Sequence, residues 1–219
     1  MALRAVVFDV GETIVDETRA WSAWADWLGI PRLTFLAMCG AVIASGELDH
    51  REPLRIFRPG IDVREERRKQ IAAGLDEDVI VEDLYPDAVP CLRTLHDAGY
   101  RVGLAGNQPA RAEDVLRGLD LPLDFVASSA SWGIEKPDPR FFAKIAEVVE
   151  LPPPEIAYVG DRLDNDVRPA AAAGMQAIFV RRGPWGWIQQ PRGEPPEAAL
   201  TVESLAELPD AITRRWPRV

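Results

Sequence analysis

Five side chains stand out for the chemistry that their types and settings allow: Asp9, Asn107, Lys136, Asp161 and Asp166. Asp9 ends the apolar run Ala5-Val6-Val7-Phe8, and Asn107 follows Arg101-Val102-Gly103-Leu104-Ala105-Gly106. Asp161 follows Ile156-Ala157-Tyr158-Val159-Gly160, with Asp166 shortly beyond it. A buried strand has no structural need of a polar residue at that point. In an open parallel sheet, however, the carboxyl ends of the strands converge on one crevice, where ligands bind. Two or three carboxylates aimed into one crevice repel each other unless a cation sits among them. Oxygen donors without His or Cys favour a hard ion, and Mg²⁺ fits best. Lys136, within Gly133-Ile134-Glu135-Lys136-Pro137-Asp138-Pro139, adds a point positive charge just ahead of a helix start. A magnesium ion, a lysine and a free carboxylate together make a site for an anionic substrate such as a phosphate ester.

The elements that must position these residues follow from hydrophobic periodicity. Residues 3–8 form a continuous apolar run apart from Arg4, as suits a strand buried on both faces. Residues 100–105, 125–127, 156–159 and 176–180 read as further strands. Helical patterns at 88–98, 109–118, 139–150 and 166–173 lie between them. Gly99, Gly118 and Gly174 close three of these helices, where a left-handed stop is expected. Strands alternating with helices predict an α/β, Rossmann-like parallel sheet. One stretch breaks the alternation: residues 16–84 show only helical patterns. Asp16 is placed to cap a helix carrying Trp21, Trp24 and Trp27 and closed by Gly29, and Pro31 suits the first turn of the next. This predicts a core of residues 1–15 plus 85–219, with an all-helical cap at 16–84 inserted after the first strand. The Pro- and Gly-rich segment 183–196 reads as an irregular surface loop.

With these motifs in this order, the sequence resembles the haloacid dehalogenase superfamily of hydrolases. The resemblance covers residues 3–212. It is carried by Val7-Phe8-Asp9-Val10-Gly11-Glu12-Thr13, by Lys136-Pro137-Asp138-Pro139, and by Val159-Gly160-Asp161-Arg162-Leu163-Asp164-Asn165-Asp166. It implies that Asp9 is a nucleophile forming an aspartyl-phosphate. It further implies that Asp161 holds Mg²⁺ beside Asp9 and the backbone carbonyl of Gly11, with Asp166 in support. Lys136 would hold Asp9 and neutralise the transferred phosphoryl group of a small phosphorylated metabolite.

Two positions depart from that pattern. The family's phosphatases usually carry a second aspartate two residues after the nucleophile, as general acid and base, and Gly11 stands there. Positioned acid–base catalysis supplies ~100- to 10,000-fold in rate, so the expected deficit is large. Glu12 is the tentative substitute, although neighbours in an extended segment face opposite sides. The family also places Ser or Thr where this chain has Gly106, leaving Asn107 and nearby backbone N–H groups to bind phosphate. Two other readings share the pattern. One is a catalytically degenerate metal-binding or regulatory protein. The other is a 2-haloacid dehalogenase, whose halide leaves without a proton but which has little use for the acidic pattern at 160–166.

Composition narrows the partners. The chain has 219 residues, 25 basic and 35 acidic, for a formal net charge of −10. That balance repels polyanions, so neither nucleic acid nor an anionic membrane is expected as a partner. No targeting segment is legible, Cys39 and Cys91 lie far apart, and a reducing cytoplasm with a monomeric or homodimeric protein is the expectation. Only Lys69, Lys136 and Lys144 are lysines, so one of three falls in the motif loop. The tryptophan stripe at 21, 24 and 27 fits the core of the cap or a pocket lining. Trp132, Trp185 and Trp187 fall in predicted loops, the latter two flanking the crevice or simply packing. Arg162 either touches substrate or pairs with an acid. His50 and His96 lack partners at ligand spacing, Arg64 to Lys69 reads as a solvated helix face, and Asp76, Glu77, Asp78, Glu82 and Asp83 as a solvated hinge.

Overall fold

A computed structural model describes residues 2–75, 78–190 and 195–217. In chain order the elements are β1 (Ala5–Phe8), α1 (Thr18–Leu28), α2 (Arg32–Ala44), α3 (Glu52–Phe57), α4 (Val63–Ala72), α5 (Ala88–Asp97), β2 (Arg101–Gly106), α6 (Arg111–Gly118), β3 (Phe125–Ser128) and α7 (Ser129–Trp132). There follow α8 (Pro139–Val149), β4 (Ile156–Gly160), a π turn (Leu163–Val167), α9 (Arg168–Ala172), β5 (Gln176–Val180), α10 (Gly183–Gln189), β6 (Leu200–Val202) and α11 (Leu208–Arg215). The chain divides into two compact units, one of Met1–Asp16 with Val79–Val219 and one of Glu17–Asp78.

The first unit is an α/β, Rossmann-type layer structure. Its six strands lie parallel in the order β3-β2-β1-β4-β5-β6. Side chains alternate across β1, so Val6 and Phe8 enter one layer while Ala5 and Val7 enter the other. Leu92 and Leu95 of α5 with Leu208 and Ile212 of α11 fill the first layer. Phe141, Phe142 and Ile145 of α8 with Ala170 of α9 fill the second. Continuous apolar strands are what two covered faces require. The chain leaves β1 toward β2 and β3 on one side, then returns to add β4, β5 and β6 on the other. Strand order reverses between β1 and β4, which opens the crevice at the carboxyl ends of those two strands.

The second unit is all-helical. Trp24, Ala25, Phe35 and Leu54 form its buried centre, with Trp21 and Trp27 packed around it. Trp21 and Phe57 flank Phe35 at ring distances of 6.3 and 5.7 Å, and His50 meets Trp21 edge-on. The Trp27 indole donates to Glu66 at 2.8 Å, while Lys69 and Arg68 pair with acids one turn back along α4. No single helix among the described residues is long and apolar enough to cross a membrane.

Several local expectations are corrected. The residue ahead of α1 is Glu17 rather than Asp16, since the helix begins at Thr18, and the Asp16 N–H donates to the Asp83 carbonyl. Residues 79–84 belong to the α/β unit, because Leu84 bridges Val15 and the Tyr85 N–H donates to Ile14. These are long-range pairings with no local signature. Asp83 is buried and accepts from the Ile80 N–H, so it is no solvated hinge residue. Gly118 remains inside α6, and the left-handed residue there is Asp120, whereas Gly99 and Gly174 take the expected positive φ. The stretch expected as an irregular loop contains α10 and a buried Trp185. Asp76, Glu77 and residues 191–194 of that stretch lie outside the described residues. The edge strand β6 was too short for alternation to reveal.

Gly103 shows how tightly β2 and β3 are matched. A Cβ on Gly103 would overlap the Phe125 ring. Gly103→Ala is expected to lower unfolding stability by about 1–3 kcal/mol, the usual range for overpacking, as read from urea denaturation.

Candidate active site

The crevice between β1 and β4 gathers four charged side chains that lie far apart in sequence. Asp9 follows β1, and its backbone N–H donates to the Val159 carbonyl of β4. Lys136 arrives from the segment between α7 and α8, and its ammonium is buried completely. It reaches Asp9 Oδ1 at 2.8 Å and Asp166 Oδ1 at 2.6 Å. Asp161 follows β4 and Asp166 lies on the π turn, both buried. Burial alone lowers the affinity of the Lys136 amine for its proton. The carboxylates of Asp166 and Asp9 outweigh that and hold its pKa well above the ordinary lysine value.

The carboxylates themselves are crowded. One oxygen from each of Asp9, Asp161 and Asp166 lies within 4.8 Å of the others. Asp166 is pushed up to about 6, by burial first and by Asp9, against the pull of Lys136. Its two oxygens are occupied by Lys136 and by the Arg162 N–H. Asp161 differs: burial and then the charges of Asp166, Asp9 and Glu12 drive its carboxyl well above the usual range. Thr13 donates weakly to its Oδ1 at 3.4 Å, and its buried Oδ2 has no hydrogen-bond partner among the described residues. An orphaned buried carboxylate oxygen amid other acids is a fit for a hard cation, and the all-oxygen donor set suits Mg²⁺.

Local sequence explains how these groups approach so closely. A Cβ at Gly106 would sit 2.5 Å from Asp9 Oδ1, and one at Gly160 would overlap the Asp166 carboxyl group. Both glycines therefore leave room for carboxylates to fold over the ends of β2 and β4. Tyr158, fully buried on β4, places its ring 5.4 Å from the Lys136 ammonium and donates to the Ala105 carbonyl at 2.8 Å.

Two of the sequence-derived residues have partners within the fold. Asn107 follows β2 and spends its amide on the segment that carries Lys136. It accepts from the Lys136 N–H at 2.8 Å and donates to the Lys136 carbonyl at 2.9 Å, so its role is to hold the lysine segment. Glu12 escapes the simple alternation of an extended segment because it is left-handed, with φ of 53°. Its carboxylate accepts from the Tyr85 hydroxyl at 2.6 Å. Gly11 lies on the same turn, bridged to Val15, in which the Ile14 and Val15 N–H groups return to the Val10 carbonyl. Arg182 fastens this turn: it donates to the Thr13 carbonyl, pairs with Asp87 and stacks 4.2 Å from the Tyr85 ring. Neither Tyr85 nor Arg182 carried a motif signal; only the fold brings them to the turn.

Comparison with known proteins places the chain in a family. A glyceraldehyde 3-phosphate phosphatase of Methanopyrus kandleri is 34% identical over 131 residues, 58% of this chain and 56% of that protein. A phosphoserine phosphatase of Thermus thermophilus is 33% identical over 162 residues, 70% of this chain and 62% of that protein. The chain thus spans less than two thirds of the length of either relative. Among solved structures, the HAD-hydrolase YfnB from Bacillus subtilis, bound to magnesium, superposes with a TM-score of 0.71 at 17% identity, over 97% of this chain and 99% of that one. That likeness is one of fold. The family model for haloacid dehalogenase-like hydrolases matches residues 3–174, from β1 through the acidic turn, and the chain belongs to that family.

Proposed function

We propose that the protein is a Mg²⁺-dependent hydrolase of small phosphate monoesters that works through an aspartyl-phosphate on Asp9. The observation that carries this reading is the buried Lys136 holding Asp9 beside the orphaned carboxylate oxygen of Asp161. The names of the two phosphatase relatives support small phosphorylated metabolites as the substrate class. The expected setting is the cytoplasm, as monomer or homodimer, without nucleic-acid or membrane partners.

Asp9, Asp161 and the Gly11 carbonyl are assigned to hold the ion, with Asp166 in support. When bound, Mg²⁺ supplies positive charge against the phosphoryl oxygens and cancels their repulsion from Asp9. The Asp9 oxygen that Lys136 does not hold attacks phosphorus, and the ester P–O bond breaks with its electron pair leaving on the alcohol oxygen. Lys136 keeps Asp9 ionised and oriented for that attack. Water then attacks the phosphorus of the aspartyl-phosphate, which releases phosphate and restores Asp9. The weak point is proton transfer. Position 11 offers no side chain, and the Glu12 carboxylate is engaged by Tyr85. Expulsion of the unprotonated alcohol is therefore assigned as the slow step.

A panel of phosphate esters with Mg²⁺ is expected to show phosphate release that falls to background in Asp9→Asn; equal rates in the two proteins would refute the enzyme reading. Gly11→Asp is expected to raise kcat by about tenfold or more, part of the ~100- to 10,000-fold that a positioned acid and base provide. Lys136→Met is expected to abolish turnover and to lower stability at pH 7 by about 3–5 kcal/mol, because it strands buried carboxylates without their cation. Chemical denaturation beside the activity assay checks both effects.

A further inference from the structure

The acidic turn that follows β4 is gripped from outside by α10. The Gln189 side-chain amide makes two hydrogen bonds to that turn. Its Oε1 accepts from the Leu163 N–H at 3.0 Å, and its Nε2 donates to Asp164 Oδ1 at 2.6 Å. Asp164 is held from a second direction by the Arg162 guanidinium, with Nε at 3.3 Å and Nη2 at 2.6 Å. That guanidinium lies 3.6 Å from the ring of Trp185, which is buried on α10 one turn before Gln189. Gly186 brings the helix backbone close to the same place, since a Cβ there would meet the Asp161 carbonyl oxygen at 3.4 Å. On its inner side the turn presents Asp161 and Asp166, the latter accepting from the Arg162 N–H at 3.0 Å. Residues 161–164 are thus fixed between the crevice and one helix.

We propose that Gln189 is a positioning residue for the cation site: by clamping Leu163 and Asp164 it sets the direction in which Asp161 presents its unpartnered oxygen. The inference rests on the magnesium reading above. The physical reason is that a carboxylate ligand binds well only if its orientation is settled before the ion arrives, and the groups that hold a ligand tune affinity almost as strongly as the ligand itself. Asp161 has little side-chain support of its own: among the described residues its carboxylate accepts only the long hydrogen bond from Thr13. Its backbone must supply the missing order; Asp166 holds the Arg162 N–H, and Gln189 ties down Leu163 and Asp164 beyond it. Gln189 touches neither the ion nor the substrate in this scheme. Half-buried at the end of α10, it is replaceable without opening the core.

The test is calorimetric titration of Mg²⁺ into the full chain, without substrate. Gln189→Met keeps the volume and removes both hydrogen bonds. It is expected to weaken Mg²⁺ binding by ~10- to 100-fold, the range for groups that orient ligands, with the metal-free chain still folded. Gln189→Glu keeps the acceptor for Leu163 but sets a negative charge against Asp164, and is expected to weaken binding as well. Adding Asp164→Asn to Gln189→Glu exchanges amide and carboxylate across the contact and is expected to restore affinity. A role confined to general stability predicts no such rescue. Ile188→Ala, on the exposed side of the same helix, is expected to bind as the parent does. Parent-like affinity in both Gln189→Met and Gln189→Glu would overturn the inference and leave the magnesium reading standing. If Gln189→Met fails to fold, the Gln189→Glu pair decides alone. A parent chain that binds no Mg²⁺ would overturn the magnesium reading, and this inference with it.

Discussion

A lysine with no exposed side-chain surface governs the organisation of the α/β unit. An ammonium placed inside a protein is tolerated only when counter-charges reach it, and Lys136 has two, Asp9 and Asp166. These come from the end of β1 and from the turn after β4, so the ion pair ties together the two strands at which the order of the sheet reverses. Asn107, at the end of β2, fixes the lysine backbone through both its N–H and its carbonyl. Tyr158 closes the arrangement from below by linking β4 to the Ala105 carbonyl of β2. Three neighbouring strand ends are thereby placed in register around one charge.

That solution creates a second constraint. One lysine cannot balance three buried carboxylates, and the excess falls on Asp161, whose Oδ2 lacks a partner. The glycines at 106 and 160 allow this crowding, because side chains there would displace Asp9 and Asp166. The fold therefore concentrates negative charge where a cation would relieve it. The same compactness explains Glu12. A left-handed residue on the turn after Asp9 points its carboxylate to Tyr85, and Arg182, paired with Asp87, stacks on the Tyr85 ring. Position 11 thus carries no side chain, and the carboxylate of its neighbour is engaged by Tyr85.

Much of the fold was legible because its signals are local. The buried strands β1, β2, β4 and β5 are continuous apolar runs, and the polar residues at their ends mark the crevice. The three-residue β6, Phe125–Ser128 running directly into a helix, and the split of 163–172 into a π turn and a short helix left weaker traces. Glycine and proline at 183 and 184 pointed to a loop, yet proline at the second position of α10 is compatible with a helix start. Packing of Trp185 against Arg162 decides the matter, and no local pattern reports it.

The sequence by itself determined which residues could do chemistry, since carboxylates at strand ends and a lysine in a proline-bounded loop are recognisable from type and position. It also determined the parallel α/β architecture, because strands covered on both faces must be apolar throughout. Only the tertiary structure decided how those residues are used. Asn107 became a support for Lys136, Asp166 spent both oxygens on neighbours, and Asp161 kept one unpaired. The reason is that hydrogen-bond partners and desolvation depend on residues brought together from separate elements, as Lys136 is with Asp9, Asn107 and Asp166. Sequence periodicity describes the faces of single elements, whereas the state of a buried charge is set by every element that meets it.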